Sequence, residues 1–422
     1  MKFRKKSNRT LRIRIQKMLQ RSRPQNNGDV SLIGDYIKNW RAVVITALFL
    51  LYWVDLSGQN TEHLSMWIVR DQMTNRESID KFIEFADRNG FTDLFVQVRG
   101  RGDAFYKSSI VCLASAVQDQ NFDPLKYTLE KAHPKNIKVH AWLNMYLLWT
   151  SGECPSDNNH LVNQHSEWFA VDADDAKDVE RKINDFKKNN TTEIYLSPLV
   201  PDVNKYLVGI VKELVELYHV DGIHLDYIRY PNRSYDYNEV GRKRFIEIYG
   251  VDPILLSASN GSYFSRVAVE TIENMIEKWS NFRRDAITEL VVGIRSVIIT
   301  TRKPILLSAA VKPDPFNARH LFYQDWENWL KKDYLDFAVP MNYTKNAEQF
   351  EQALSKIDPL ISKEKIWMGI GAFNQDRYDA LTKIMISFDS GYSNLALFSY
   401  KTFINQPDYL PPLLKAFHVN NQ

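Results

Sequence analysis

From Met66 to Tyr400 the chain alternates short apolar runs with longer stretches whose apolar residues return every three or four positions. Strand and helix periods interleaved in this way restrict a chain to a few layered architectures built on parallel strands. Eight runs have strand character: "MWIVR" (66–70), "DLFVQVR" (93–99), "KVHAWLNMY" (138–146), "DGIHLD" (221–226), "ILLSAAV" (305–311), "LDFAVPMNY" (335–343), "IWMGIGAF" (366–373) and "LALFSY" (395–400).

The intervening segments carry helix signals. In "TNRESIDKFIEFADRNG" (74–90), Thr74 and Glu77 have the spacing of a capping box. Ile79, Phe82, Ile83 and Ala86 share one face, and Gly90 can end the helix. Further helices are predicted at 123–133, 203–218 and 269–298. Eight strands with room for a helix after each predict an α/β fold, a (β/α)8 TIM barrel with insertions, as a single domain over residues 64–415. An open doubly wound sheet would need a Gly-rich phosphate turn after the first strand, and "MWIVRDQMTNR" has none.

Charge divides the chain. Residues 1–41 hold 12 Lys/Arg against 2 Asp/Glu, whereas the remainder carries more acids than bases, which argues against nucleic-acid binding by the folded part. After Arg41 comes "AVVITALFLLYWV" (42–54), an uncharged run too short for an ordinary bilayer span of about 20 residues. Together with the basic flank and Ser57-Gly58, it predicts a signal peptide or membrane anchor over 42–58, hence an exported or envelope-anchored protein. Cys112 and Cys154 define no metal spacing, so neither a structural zinc nor a cofactor is expected.

In a barrel, alternate strand residues face the axis and the helices, and chemistry sits at the strands' C-terminal ends. "DGIHLDYIRYP" (221–231) would turn Ile223 and Leu225 to the helices and Gly222, His224 and Asp226 to the axis, with Asp226 at the top. The other strand ends are also polar: Arg70-Asp71; Gln97, Arg99, Arg101 and Asp103; His140, Trp142 and Asn144; Lys312 and Asp314; Asn342-Tyr343; Ser399-Tyr400.

Aromatic faces beside acids, amides and arginines suit sugar rings, whose C–H faces pack on π-systems while their hydroxyls take hydrogen bonds. Glycosidic cleavage needs a proton donor and a second group at the anomeric carbon. The catalytic candidates are Asp226, Asp314 and Asp71. The candidates for binding a poly- or oligosaccharide are Gln97, Arg99, Arg101, Asp103, Trp142, Asn144, Tyr227, Arg229, Tyr230, Asn342, Tyr343 and Tyr400. Blander readings stand beside these: Asp226 as an ion-pair partner of Arg229, His140 and His224 as satisfied core residues, Arg99 and Arg101 as ties to Asp103, and the whole as a carbohydrate-binding barrel without chemistry.

The ordered series "VQVRGRGDAFYKS", "FDPLKYTLEKAH", "KVHAWLN", "YHVDGIHLDYIRYP", "FRRDAITELV", "LSAAV", "QDWENWL", "LDFAVPMNYT" and "LFSY" resembles the glycosyl-hydrolase-like family 10 domain over roughly residues 64–401. The resemblance implies an exported bacterial glycoside hydrolase with a TIM barrel, and Asp226 in the position treated as the catalytic acid in related barrels. Against the DGxDxDxE motif of the family 18 chitinases, Ile228 stands where their catalytic Glu would be, so the ordinary chitinase mechanism is not supported.

Overall fold

The computed structural model describes residues 62–150, 155, 157–173, 193–257 and 269–420. The basic segment 1–41 and the expected export or anchor segment 42–58 lie outside the described residues. Glu62–Gln422 forms one compact unit. Among the described residues, no helix is long and apolar enough to cross a membrane.

Among the described residues ten strands form: β1 (Leu64–Ile68), β2 (Asp93–Arg99), β3 (Lys138–Asn144), β4 (Leu147–Trp149), β5 (Ile194–Tyr195), β6 (Gly222–Asp226), β7 (Leu306–Val311), β8 (Phe337–Pro340), β9 (Trp367–Gly371) and β10 (Asn394–Phe398). Eight join one sheet in the order β8-β7-β6-β3-β2-β1-β10-β9, every pairing parallel. Parallel bridges Ala338↔Ile366 and Met341↔Gly369 then connect β8 to β9 and bring the sheet close to a closed barrel. At that seam the backbones approach so closely that a Cβ on Gly369 would lie 2.6 Å from the Pro340 carbonyl oxygen.

Helices pack outside. Arg76–Arg88 buries Ile79, Phe82, Ile83 and Ala86, the face its spacing predicts. Its cap is Asn75 rather than Thr74: the Asn75 side chain accepts from the Ser78 backbone N–H at 3.0 Å, a role Asn fills at least as well as Thr. The first strand also differs, beginning at Leu64 and ending at Ile68, because Arg70–Gln72 curls into a 3-10 turn.

The barrel interior holds Trp67, Phe95, Trp142, Phe337 and Trp367, whereas Ile223 and Leu225 pack toward the helices, as the alternation in the fourth barrel strand predicts. His224 is fully buried among these rings. The Trp67 indole N–H donates to its Nε2 at 3.2 Å, and its Nδ1 lies 2.9 Å from Ser308 Oγ. Burial, reinforced by His140, holds His224 well below the ordinary imidazole range, so it is a neutral core group. His140 and His63 sandwich the Asp93 carboxylate at 2.9 and 2.7 Å, at the end of the barrel opposite Asp226.

The antiparallel pair β4–β5 is an addition that the sequence period does not show. It rises just beyond β3 and sets Leu147 beside the strand tops.

Candidate active site

At the C-terminal ends of the strands lies a cavity of about 610 Å³, within the usual range for ligand sites of about 300–1,000 Å³. Trp67 and Arg70 reach it from the end of β1, Gln97 and Gly100 from β2, and Trp142 and Asn144 from β3. Asp226, Tyr227 and Arg229 follow from β6, Lys312 from β7, Asn342 and Tyr343 from β8, and Phe398 from β10.

Asp226 is 6% exposed and both its oxygens are held. The Trp142 indole N–H donates to Oδ2 at 3.1 Å, and the Tyr227 backbone N–H donates to Oδ1 at 2.7 Å. Burial raises its pKa above the ordinary carboxylate value; the Tyr227 N–H, Arg229, Trp142 and Lys312 pull the other way without cancelling that effect. No ion pair to Arg229 forms within 4 Å among the described residues, so hydrogen bonds rather than a salt bridge hold the carboxyl.

Immediately after Asp226 the backbone is strained. Tyr227 has φ +49°, a left-handed conformation uncommon for a bulky residue and characteristic of functional turns. The turn sets the Tyr227 ring 4.8 Å from the Arg229 guanidinium carbon. Across the cavity, the Tyr343 hydroxyl is buried without a hydrogen-bond partner among the described residues, and its ring stands edge-on to Trp67 at 6.5 Å. Burial, with the fields of Asp226 and Tyr227, keeps this phenol protonated far above its usual range.

Amides complete the lining. Gln97 Nε2 donates to Asn144 Oδ1 at 3.3 Å, Asn144 Nδ2 donates to the Gly100 carbonyl at 2.8 Å, and Asn342 Nδ2 donates to the Phe350 carbonyl at 3.1 Å. Of the residues expected from sequence, the structure thus brings together Gln97, Trp142, Asn144, Asp226, Tyr227, Arg229, Asn342 and Tyr343.

The remaining candidates sit elsewhere. Asp314 caps the helix Pro315–Leu321, accepting from Asn317 N at 3.0 Å and from Lys356 Nζ at 2.7 Å. Asp71 is exposed and accepts from Lys401 Nζ at 3.1 Å. Asp103 accepts from the Arg101 backbone N–H at 2.9 Å, and the Arg101 guanidinium lies over Trp149 at 5.6 Å. Arg99 is fully buried and ties β2 to the end of β3 through the Asn144 and Met145 carbonyls. Tyr230 donates to the Arg283 carbonyl at 3.3 Å, and Tyr400 packs on Phe85 at 5.2 Å in the core. None of these seven residues lines the cavity. Arg99 closes β2 itself, and the other six stand two to four residues past a strand end, where a bend rather than strand alternation decides direction.

Two cations of the cavity, Arg70 and Lys312, stand among the polar strand ends read from the sequence but not among its catalytic or binding candidates. Burial, then the neighbouring Arg229, push Lys312 down to about 8, against the pull of Asp226 and Glu193. Glu193 accepts from the Tyr195 hydroxyl at 3.0 Å on β5, and the Tyr195 ring lies 6.1 Å from that of Tyr227. Nothing in the sequence around Glu193 signals this placement. Among the described residues, no group of three or more His, Cys, Asp or Glu could hold a metal ion.

The family model described as Glycosyl hydrolase-like 10 matches residues 39–376. The chain belongs to this family. It is 23% identical over 323 residues to the glycosyl hydrolase YngK of Bacillus subtilis (strain 168), covering 72% of this chain and 54% of that protein. It is also 23% identical to the glycosyl hydrolase DigH of Escherichia coli O6:H1 (strain CFT073), covering 72% of this chain and 65% of that protein. The chain thus spans between half and two thirds of these relatives' lengths. In structure it is similar to the PgaB (BpsB) glycoside hydrolase domain from Bordetella bronchiseptica, with TM-score 0.63 at 13% identity, covering 84% of this chain and 98% of that one. That likeness is one of fold.

Proposed function

We propose that this protein hydrolyses glycosidic bonds of a poly- or oligosaccharide, with Asp226 delivering the proton to the leaving oxygen. The observation that carries the reading is the state of Asp226: a carboxyl buried on the cavity floor, bonded on both oxygens, with its pKa raised by burial. A carboxyl in that environment holds its proton to higher pH than an exposed one, and a general acid needs that proton. Family membership and the sugar-type lining of Trp67, Trp142, Tyr227 and Tyr343 support the same reading.

The second role in the cycle falls on a group other than Asp71 or Asp314, which face away from the cavity into ion pairs. Besides Asp226, Glu193 is a described carboxylate whose field reaches both Tyr227 and Lys312, and it stands outside the cavity lining. The basic and apolar pattern of residues 1–58 supports export to the envelope or beyond.

One observation favours a second reading, a carbohydrate-binding barrel without turnover: among the described residues lining the cavity, Asp226 is the sole carboxylate. Reducing-end release from a polysaccharide panel by the full-length chain separates the two. Release that disappears in Asp226→Asn supports hydrolysis, whereas glycan binding that survives the substitution, with no release from the wild type, supports the binding barrel.

A further inference from the structure

The charge of the cavity does not balance. Arg70, Arg229 and Lys312 line it, against the one lining carboxylate. That carboxylate is already engaged, since its two oxygens accept from Trp142 and the Tyr227 backbone. Its raised pKa further reduces the negative charge it can offer.

None of the three cations forms an ion pair within 4 Å among the described residues. The nearby acids have other partners: Asp71 pairs with Lys401, Asp103 accepts from the Arg101 N–H, and Glu193 accepts from Tyr195. What the cations touch is neutral. Arg70 reaches Gln97 Oε1 at 3.5 Å, and Arg229 donates to the Tyr230 carbonyl at 3.2 Å while its Nε is buried with no hydrogen-bond partner. Arg229 and Lys312 share the face of one ring, lying 5.5 and 4.4 Å from the Phe322 centroid.

Partly desolvated cations crowded together cost stability, and such a cost is retained where a ligand supplies the missing charge. The arrangement is also sterically prepared. Gly100 leaves the space that the Arg70 side chain occupies: a Cβ there would lie 2.6 Å from Arg70 Cδ and 2.7 Å from its Nη1. Arginine forks match planar carboxylates in two-point contact, and a lysine adds a compact charge beside them.

We propose that the cavity is built for an anionic glycan: a sugar bearing a carboxylate sits against Arg229 and Lys312, with Arg70 across the cavity, so that the substrate class is acidic rather than neutral polysaccharide. This rests on the glycan reading above and narrows it. Cleavage itself remains a hydrolysis, in which water adds to the anomeric carbon, the glycosidic C–O bond breaks, and the leaving oxygen takes the proton.

The test uses full-length protein and pairs of oligosaccharides. One member of each pair carries free carboxylates, as uronate or as lactyl ether, and the other is the same chain with those carboxylates reduced to alcohols. Binding is measured by titration calorimetry and turnover by reducing-end release. The expected result is that at least one acidic member binds about tenfold or more tighter than its reduced partner, the scale of one or two charge-assisted hydrogen bonds. The preference should shrink in Lys312→Met and Arg229→Gln, and also in Arg70→Gln, which lies on a different strand and guards against misfolding of any one variant.

Equal binding of both members throughout, or binding of neither, overturns the proposal. An acidic preference without any release keeps it and removes the hydrolase reading. Release at equal rates from acidic and reduced members keeps the hydrolase reading and overturns the acidic one.

Discussion

The Trp142 indole N–H meets Asp226 Oδ2 at 3.1 Å because their strands pair in parallel register, with Trp142 opposite His224 and Asn144 opposite Asp226. The bond favours the ionised carboxyl and so opposes the rise that burial imposes. Trp142→Phe keeps the ring and deletes the donor. The expected outcome is a further rise in the Asp226 pKa, with the alkaline limb of the pH–rate profile moving up. The rate should fall by roughly tenfold to a hundredfold, the usual worth of a hydrogen bond to a charged group. An unmoved alkaline limb would mean that this bond does not tune the acid.

The same raised pKa has a consequence for stability. A group that binds its proton more tightly folded than unfolded contributes stability that is fully present below its unfolded value, near 3.8, and is lost as pH rises through the raised folded value. Asp226→Asn removes that loss. Its melting temperature at neutral pH should equal or exceed that of the wild type, and the gap should close on acidification. A variant less stable than wild type at every pH would show that the ionised carboxyl stabilises the fold.

Lys312 has the opposite sign. Its amine is depressed to about 8, so the fold is penalised while the amine is charged, and stability is regained as pH rises from there toward the ordinary lysine value of 10.5. Lys312→Met should therefore be more resistant to urea than wild type at pH 7 while binding acidic glycans less tightly, a trade of function against stability. Arg229, Asp226 and Glu193 all face this amine, so the same titration in Arg229→Gln should show a higher Lys312 pKa.

Much of the fold is legible because its signals are periodic. Parallel strands buried on both faces are continuous apolar runs, and the helix Arg76–Arg88 shows its packing face in four residues. The strands β4 and β5, three and two residues long, are too short for any period to register. The site divides in the same way. Trp142, Asn144 and Asp226 lie on strands, and alternation predicts where they point. Asp314, Tyr230 and Tyr400 lie beyond strand ends, where a helix cap, a turn or a following helix turns the side chain away. Lys312 shows the converse: it follows a strand directly and enters the cavity, but a lone lysine carries no spacing to mark it.

Placement outside the cavity makes a prediction of its own. Asp314→Asn keeps a competent helix cap and loses only a pair with the half-exposed Lys356, and Asp71→Asn loses only an exposed pair. Both variants should retain turnover within about twofold and stability within about 1 kcal/mol. A large loss of rate in either, with the fold intact, would return that residue to the chemistry.

The barrel interior offers a steric check. A Cβ at Gly222 would stand 2.0 Å from Nδ1 and 2.8 Å from Cε1 of the fully buried His140 ring. Gly222→Ala should cost about 1–3 kcal/mol by urea denaturation, the usual penalty for overpacking a core. A neutral substitution would mean that the ring has room to withdraw.

The most direct measurement is reducing-end release from bacterial and plant polysaccharides by the full-length wild type and by Asp226→Asn at matched folding. The account predicts release by the wild type, its loss in the variant, and unchanged or tighter melting of the variant. Equal release by both proteins would contradict the assignment of Asp226 as the acid, and no release by the wild type from any glycan that it binds would contradict hydrolysis itself.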